Sequence, residues 1–539
     1  HPTRHEFEIF AHGLSNPWGM DFNKHGRLFA TACVIPHLWH VVQGGVFHRQ
    51  SGRHVNPFVY DDIKTIRDHN HMSAHGGARF YLADTFGEKY RDQLFMCNIH
   101  QHQVLTDIMV PKGSGFVGKH GDDFLSAHDK QWIDFSVEIG PDGGVYILDW
   151  HDEDICGKRI VHGATGRIYR IMPQGAKGVR PPNLPSLSDA KLAALQLHTN
   201  DWYVRQARVL LAHRAATGKL GDGVAAELIA MFKAQTESPQ RLRALWALHS
   251  IGGCGEKMLL GLLDHADEHV RGWAVRLLCE GRQPPAAATA KFAEMATAEK
   301  SPVVRLYLAS ALQRIPAAQR WQIIAGLVKH AEDADDHNLP KLIWYGLEPI
   351  VKSDSKKALA IAALAKIPLL RQFVARRLAA TAGTAPSRGS NDGSSTNRKA
   401  LTATLQRVAP GFSMTAVGEG GARFHSSFRN RAAVQTHPLD RRRPCVLERT
   451  VKIPAGEKTR LLISVSHHTH GDFQLVVRAD GKVLEDRIVG AKTVKDEWAD
   501  LQIDLSSYAG KRVKLTIENK PNDWRNEWAY WNQIKLVGG

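Results

Sequence analysis

In residues 1–175 the apolar positions fall in short runs of strand length. Turn signals at Asn23-Lys24-His25-Gly26, Pro141-Asp142-Gly143-Gly144 and His162-Gly163 divide them. Two stretches repeat one another. Pro17 to Phe29 and Phe135 to Ile147 each give an apolar strand, a tight Gly-bearing turn and a second strand with an aromatic residue. That order is the inner hairpin of a β-propeller blade, so the spacing predicts part of a propeller. From residue 186 to 382 the period changes, and apolar residues recur at three and four. A motif returns as Arg241/Ala244/Leu248, Arg271/Ala274/Leu278 and Arg305/Leu308/Leu312, with a rougher copy at Arg205/Arg208/Ala212. The Arg-to-Arg spacings of 36, 30 and 34 residues are those of paired-helix solenoids of the HEAT type, akin to armadillo repeats. Each such Arg is expected to bridge to the adjacent repeat. Thr381 to Ala400 is rich in Gly, Ser, Thr and Asn and reads as a linker. Period two then resumes, as in Leu501/Ile503/Leu505 and Val513/Leu515/Ile517, which predicts an antiparallel β-sandwich. The expected chain is multidomain β + α + β: partial propeller at 1–175, HEAT-like α-solenoid at 176–382, flexible linker at 383–405 and β-sandwich at 406–539.

Composition changes this picture little. The 539 residues are 43% hydrophobic and 23% charged, as in ordinary globular proteins, and no apolar run reaches membrane-span length. The chain opens His1-Pro2-Thr3, which reads as a processed product or a fragment. Six Cys with no Cys-x-x-Cys pair exclude a disulfide scaffold, a zinc ribbon and a c-type haem attached within this chain. Cys97 and Cys156 are expected as buried thiols, pairing being the alternative. The formal charge of +16 raises nucleic-acid binding, and its distribution argues against it. Residues 1–175 carry 17 Lys and Arg against 20 Asp and Glu, and the excess beyond them is spread thinly rather than set in one stripe.

Histidine is where chemistry concentrates: 29 in the chain, 17 of them in residues 1–175. His37 and His40 lie close together, and Asp68-His69-Asn70-His71 is followed by His75. Imidazole and carboxylate at such spacing bind divalent metals or exchange protons near neutral pH. Propeller loops converge on one face, so these segments are expected to meet, with ordinary loop hydrogen bonding as the alternative for any single His. His-Glu-x-x-His, a phosphate loop, a Gly-x-Ser-x-Gly elbow and a dinucleotide fingerprint are all missing from the sequence. At the far end Trp524, Trp528, Tyr530 and Trp531 offer flat rings for sugar stacking, or alternate members are core. His467, His468, His470 and Asp472 supply polar groups nearby.

These residues carry a resemblance. Gly13-Leu14-Ser15-Asn16-Pro17-Trp18-Gly19-Met20-Asp21-Phe22 resembles the Arg-Asn-Pro-x-Gly blade motif of soluble quinoprotein glucose/sorbosone dehydrogenases. The chain is more similar still to planctomycete and verrucomicrobial proteins described as membrane-bound dehydrogenases. In those, such a propeller precedes HEAT-like repeats and often a cytochrome-type module. The likeness rests on Thr31 to His40, Tyr60 to Ile66, Tyr90 to Phe95, Gly166 to Arg170 and, in the solenoid, His337 to Tyr345.

The resemblance implies that residues 1–175 are the C-terminal blades of a six-bladed propeller holding pyrroloquinoline quinone and calcium. It implies cofactor contact at Asn16, which matches the motif Asn, and at Ile35 and Pro36, near the family's calcium-binding carbonyls. Ser15 stands where the motif has Arg. It places the family's catalytic base upstream of His1. On this reading His37, Asp68 and His69 are metal ligands, while His71 and His75 act on the substrate side. The expected function is an extracytoplasmic (periplasmic or cell-surface) oxidoreductase of quinoprotein type acting on a sugar or polyol. A cytochrome-type acceptor docking on the solenoid is the expected protein partner. The alternative is a non-catalytic carbohydrate-binding scaffold using propeller, solenoid and sandwich as surfaces.

Overall fold

Three antiparallel sheets open the chain. Strands β1 (Pro17–Phe22), β2 (Leu28–Ala32) and β3 (Leu38–Val41) form the first, in the order β1-β2-β3. The second runs β4 (His75–Phe80), β5 (Gln93–Asn98), β6 (Gln103–Lys112) and β7 (Gly115–Ser126) in chain order. The third holds β8 (Asp134–Ile139), β9 (Val145–Asp149) and β10 (Arg167–Ile171). The computed structural model describes residues 6–33, 36–50, 54, 56–72, 74–153, 155, 160–176, 178–382, 404–414, 416–418, 421–456, 458–494, 496–522 and 526–538.

The first strand of each sheet lies against the first strand of the next, β1 on β4 and β4 on β8. Glycine makes the first approach possible. A methyl group on Gly19 would stand 2.1 Å from the Gly77 carbonyl carbon, and Gly77 itself has φ +63°, a conformation that favours glycine. The Thr31 hydroxyl, on β2, donates to the Gly77 carbonyl at 2.9 Å and ties the two sheets together.

Twelve α-helices follow among the described residues. They pack in pairs, for example Val224–Ala234 on Ser238–Ser250 and Glu268–Leu278 on Pro302–Ala311. Two of the four recurring Arg reach a later acid as expected, whereas Arg241 bonds the Gln235 carbonyl and Arg205 pairs with Asp201 and Asp21. Arg271 grips Glu299 (2.9 and 2.8 Å), and Arg305 grips Asp333 through two bonds of 2.7 and 2.6 Å, each acid lying 28 residues on.

Sheets and helices were expected as separate domains divided at residue 175. They form one compact unit, His1–Pro386, and Ser387–Gly539 forms a second. The reason is shared burial. Ala30, Trp39, Val42, Val46, Phe47 and Ile63 belong to the same apolar core as Leu245, Ala274, Leu308 and Trp344. Polar contacts reinforce it: Trp273 Nε1 donates to the His25 carbonyl (2.9 Å), Tyr345 Oη to the Asp61 carbonyl (2.8 Å), and Arg205 pairs with Asp21 (2.6 Å).

The second unit holds two five-stranded antiparallel sheets. Its strands are β11 (Ser413–Met414), β12 (Arg423–Phe428), β13 (Arg431–Thr436), β14 (Cys445–Lys452), β15 (Thr459–His467), β16 (Phe473–Ala479), β17 (Lys482–Val489), β18 (Ala499–Asp504), β19 (Arg512–Lys520) and β20 (Ala529–Gly538). The orders are β11-β14-β19-β16-β17 and β12-β13-β20-β15-β18, and both sheets feed one core. Leu405, placed by sequence in the linker, is fully buried in that core. Most of the linker lies outside the described residues. Cys97 is a buried free thiol, and Cys156 lies outside the described residues. No helix among the described residues is long and apolar enough to cross a membrane.

Candidate metal centre

Four chain segments bring imidazoles to one point in the first unit. His37 ends the β2–β3 connection, where its carbonyl accepts from the Ala32 amide at 2.8 Å. His69 and His71 lie on the segment between Ile66 and β4. The Ile66 amide bonds the Leu38 carbonyl and the Asp68 amide bonds the Gly118 carbonyl, which pins that segment between β3 and β7. His75 is the first residue of β4, and His120 stands on β7 opposite Asp107 of β6. A register shift between Leu105 and Asp107 re-aims the carboxylate.

One donor atom each from His37, His69, His71 and Asp107 lies within 4.8 Å of the other three. Metal–ligand bonds of about 2.0–2.2 Å require donor atoms somewhat closer than that, a contraction that side-chain rotation supplies. Asp107 is fully buried and bridges two rings, with Oδ2 2.7 Å from His37 Nε2 and Oδ1 3.1 Å from His69 Nε2. His71 Nε2 meets His120 Nδ1 at 2.9 Å. The ring of His75 stacks on His37 with centroids 4.5 Å apart, and His75 is 2% exposed. Neither nitrogen of His75 has a well-formed hydrogen-bond partner among the described residues, and the same holds for His71 Nδ1.

Electrostatics favour a cation here. Burial works against the Asp107 carboxylate, yet His37 and His69 outweigh it and hold its pKa well below the usual carboxylate range. For His69, burial opposes protonation, and Asp107 with Asp68 overcomes it, so its pKa is raised. Burial, then the His37 charge, drives His71 down to about 3 and His75 down to about 2. Both rings are therefore neutral at pH 7 and present unshared lone pairs. Buried, unpartnered polar atoms ask for an explanation, and a metal ion supplies one.

The sequence foresaw part of this group. His37, His69, His71 and His75 converge as expected. Asp68 does not join them: its side chain is 44% exposed and sits 3.3 Å from the outer nitrogen of His69, where it orients the ring. The carboxylate of the centre is instead Asp107, which the sequence reading missed. Its one signal is a lone acid inside the apolar run Val104-Leu105-Thr106-Asp107-Ile108-Met109-Val110. His71 stands with the metal donors rather than apart from them.

The donor set does not fit calcium. Calcium takes six to eight hard oxygen ligands, whereas this cluster offers three imidazoles and one carboxylate, a set suited to zinc, iron, manganese, nickel or copper. Asn16 and Pro36 are exposed at the same end of the sheets, with the Asn16 carbonyl accepting from the Cys33 amide at 3.1 Å. Ile35 lies outside the described residues. Ser15, standing where the quinone-contacting Arg was expected, accepts from the Gln50 amide at 2.5 Å and thereby fixes a loop.

In the second unit, Tyr530 and Trp531 are neighbours on β20 and so face opposite ways. Trp531 is fully buried in the core, its Nε1 donating to Thr436 Oγ1 at 2.8 Å; it is not a stacking platform. Tyr530 lies on the other face but is only 6% exposed, its ring covered flat by Phe428 at 3.7 Å, so it too is no open stacking platform; buried Trp498 and half-buried Trp528 complete that cluster. Phe428 and Trp498 were not singled out from sequence. Trp524 lies outside the described residues. Of the polar groups, His467 is buried and Asp472 accepts from Asn522 Nδ2 at 2.8 Å.

Among known proteins, an uncharacterised protein of Archaeoglobus fulgidus is 27% identical over 115 residues, 19% of this chain. The chain spans 29% of the length of that relative. An oxidoreductase of Thermus thermophilus, described as a glucose dehydrogenase, matches 30% of this chain and 46% of its own at 20% identity and TM-score 0.22. The xylan-binding module CBM22-1 of Xyn10C from Paenibacillus barcinonensis matches 25% of this chain and 90% of its own (12% identity, TM-score 0.18). The CBM35 module of that organism matches 24% and 94% (13% identity, TM-score 0.18). Residues 1–175 match the family described as Domain of unknown function (DUF7133).

Proposed function

We propose that the protein is an extracytoplasmic, metal-dependent oxidoreductase acting on a sugar or polyol, with a carbohydrate-binding second unit. The observation that carries the reading is the group His37, His69, His71 and Asp107 beside neutral His75. The three N-terminal sheets are read as successive propeller blades, which the contacts β1–β4 and β4–β8 support. The paired helices are read as a HEAT-like solenoid and the two C-terminal sheets as a β-sandwich.

A divalent ion held by the four donors would supply Lewis acidity, lowering the pKa of a bound hydroxyl. Asp107 neutralises charge at the buried centre and orients His37 and His69. Asp68 holds His69 from outside. His75, buried, neutral and adjacent, would accept a hydrogen bond from the substrate hydroxyl at a ring nitrogen and so orient it. These residues would supply substrate binding and orientation. Oxidation of the hydroxyl to a carbonyl would need a two-electron acceptor of quinone class to take the hydride from the carbinol carbon.

The test loads metal-stripped protein with Zn²⁺, Mn²⁺, Fe²⁺ or Ca²⁺ and follows dye reduction with a panel of sugars and polyols. Turnover that needs a transition ion and is lost in His75→Gln is expected. The position of Ser15 favours a second reading, a non-catalytic carbohydrate-binding scaffold. Tight transition-metal binding without turnover of any substrate would select it.

A further inference from the structure

Away from the metal centre, a cavity of about 40 Å³ lies between the first sheet and the helices Glu268–Leu278 and Pro302–Ala311. Its polar lining is Arg27, His40, Gln43, Arg276, Ser310 and Arg314, and no carboxylate lines it. Three guanidinium groups thus face one small space.

Two of them have no carboxylate in direct contact, Glu280 acting on Arg276 only from a distance. Arg27 is 6% exposed, its Nε has no hydrogen-bond partner, and neither Arg27 nor Arg276 makes an ion pair among the described residues. They lie over aromatic rings instead: Arg27 4.9 Å from the Tyr307 centroid, Arg276 4.6 Å from Trp273 and 5.4 Å from Phe10. Arg314 is held in place by the Cys279 carbonyl (2.8 Å) and Glu8 (3.1 Å). The nearby acids are engaged, Glu8 with Arg282 and Arg314, Glu280 with His249. Burial, with the charges of Arg314 and Arg27, presses against the protonated form of Arg276. A ring face offsets only part of the cost of burying a guanidinium, and like charges facing one cavity add to that cost. An anion in the cavity removes both penalties and takes up charge-assisted bonds in the forked geometry that guanidinium groups offer oxyanions.

The cavity does not end there. A groove of about 350 Å³ shares Phe10, Gln43, Arg276 and Arg314 with it and continues past Trp273, Leu277 and His249, with Glu8 and Glu280, both engaged by other side chains, also on its wall. We propose that the cavity binds the oxyanion head, carboxylate or phosphate, of a small molecule whose body lies along this groove. Arg27 and Arg276 are its counter-charges, Arg314 closes the rim, and Phe10 and Trp273 pack against the body. The site is separate from the metal centre and independent of its assignment.

The test is calorimetry and thermal unfolding of the full chain in low-salt Tris chloride, with inorganic phosphate, glucuronate and glucose as probes. Phosphate, glucuronate or both should bind one per chain and raise Tm, while glucose does neither; the anion that binds identifies the head group. Arg276→Met should weaken that binding at least about tenfold. Without added oxyanion the same variant should match or exceed the wild-type Tm, the reverse of what a structural arginine would give. Arg27→Met and Arg276→Lys serve if Arg276→Met does not fold. The result should be the same in chelator-treated and metal-loaded protein, so a failed metal assignment leaves it readable. Absence of one-to-one binding of either anion up to about 10 mM overturns the proposal, as does wild-type affinity in both Arg27→Met and the folded Arg276 variant.

Discussion

Asp107 is the side chain on which the candidate metal centre turns, because it is the one carboxylate in the group of four donors. Replacing it with Asn keeps the shape and removes the charge. Asp107→Asn should lower transition-metal affinity by about 100-fold or more, while Asp68→Asn, acting only through His69, should lower it by about 10- to 100-fold. Isothermal titration of metal-stripped protein checks both. Protons compete with metal at His69, whose pKa is raised, so affinity should fall as pH drops through that raised value. The stability of the metal-free protein depends on the other rings. His75 has its folded pKa lowered to about 2, so the folded state resists a proton that the unfolded chain accepts below about 6.5. The sign is therefore loss of stability as pH falls, at about 1.4 kcal/mol per pH unit between those two values. His75→Leu should flatten the acid limb of the stability curve by one proton, read from urea melts between pH 7 and 4. The His positions were legible because imidazole is rare and clusters visibly in sequence. Asp107 was not, because antiparallel pairing of β6 with β7, and not sequence proximity, delivers it to the site.

At the scale of elements, period located the strands and helices, and two of the four recurring Arg, Arg271 and Arg305, reach an acid 28 residues on. Arg305 and Asp333 are 2% and 3% exposed, so each is costly without the other. Asp333→Asn should destabilise the first unit by about 3–5 kcal/mol, whereas Arg305→Met with Asp333→Leu should recover most of that loss, as chemical denaturation would show. Gly19 behaves differently, since its constraint comes from the backbone of a neighbouring sheet. Gly19→Ala forces β1 away from β4 and, through Thr31, loosens the tip that carries His37. What period could not show was which face of β20 meets the core. Tyr530 and Trp531 are both large and aromatic, and only the register against β13 and β15 sends Trp531 into the core between the sheets and Tyr530 into the smaller cluster on the opposite face.

At the scale of the molecule, the chain divides into its two compact units between Pro386 and Ser387, within the Gly/Ser-rich stretch, and not at residue 175. Composition marks a linker, but nothing in a strand pattern tells whether its outer face meets water or a helix. Residues 404–539 produced alone should fold and keep any polysaccharide retention of the whole chain, while residues 1–386 keep metal binding; affinity electrophoresis and metal analysis of the two pieces check this. The shared core also sets an order of events during synthesis. Trp39, Val46 and Phe47 leave the ribosome long before Leu308 and Trp344, the residues that cover that core from the helical side. At about 5–20 residues per second, the two hundred-odd residues between the sheets and the end of the helices take roughly 10–40 s. Through that interval the nascent sheets hold an uncovered apolar face, the kind of species that aggregates or recruits a chaperone. Residues 1–175 expressed alone should accordingly be recovered as insoluble material, and extending the chain to residue 386 should restore solubility.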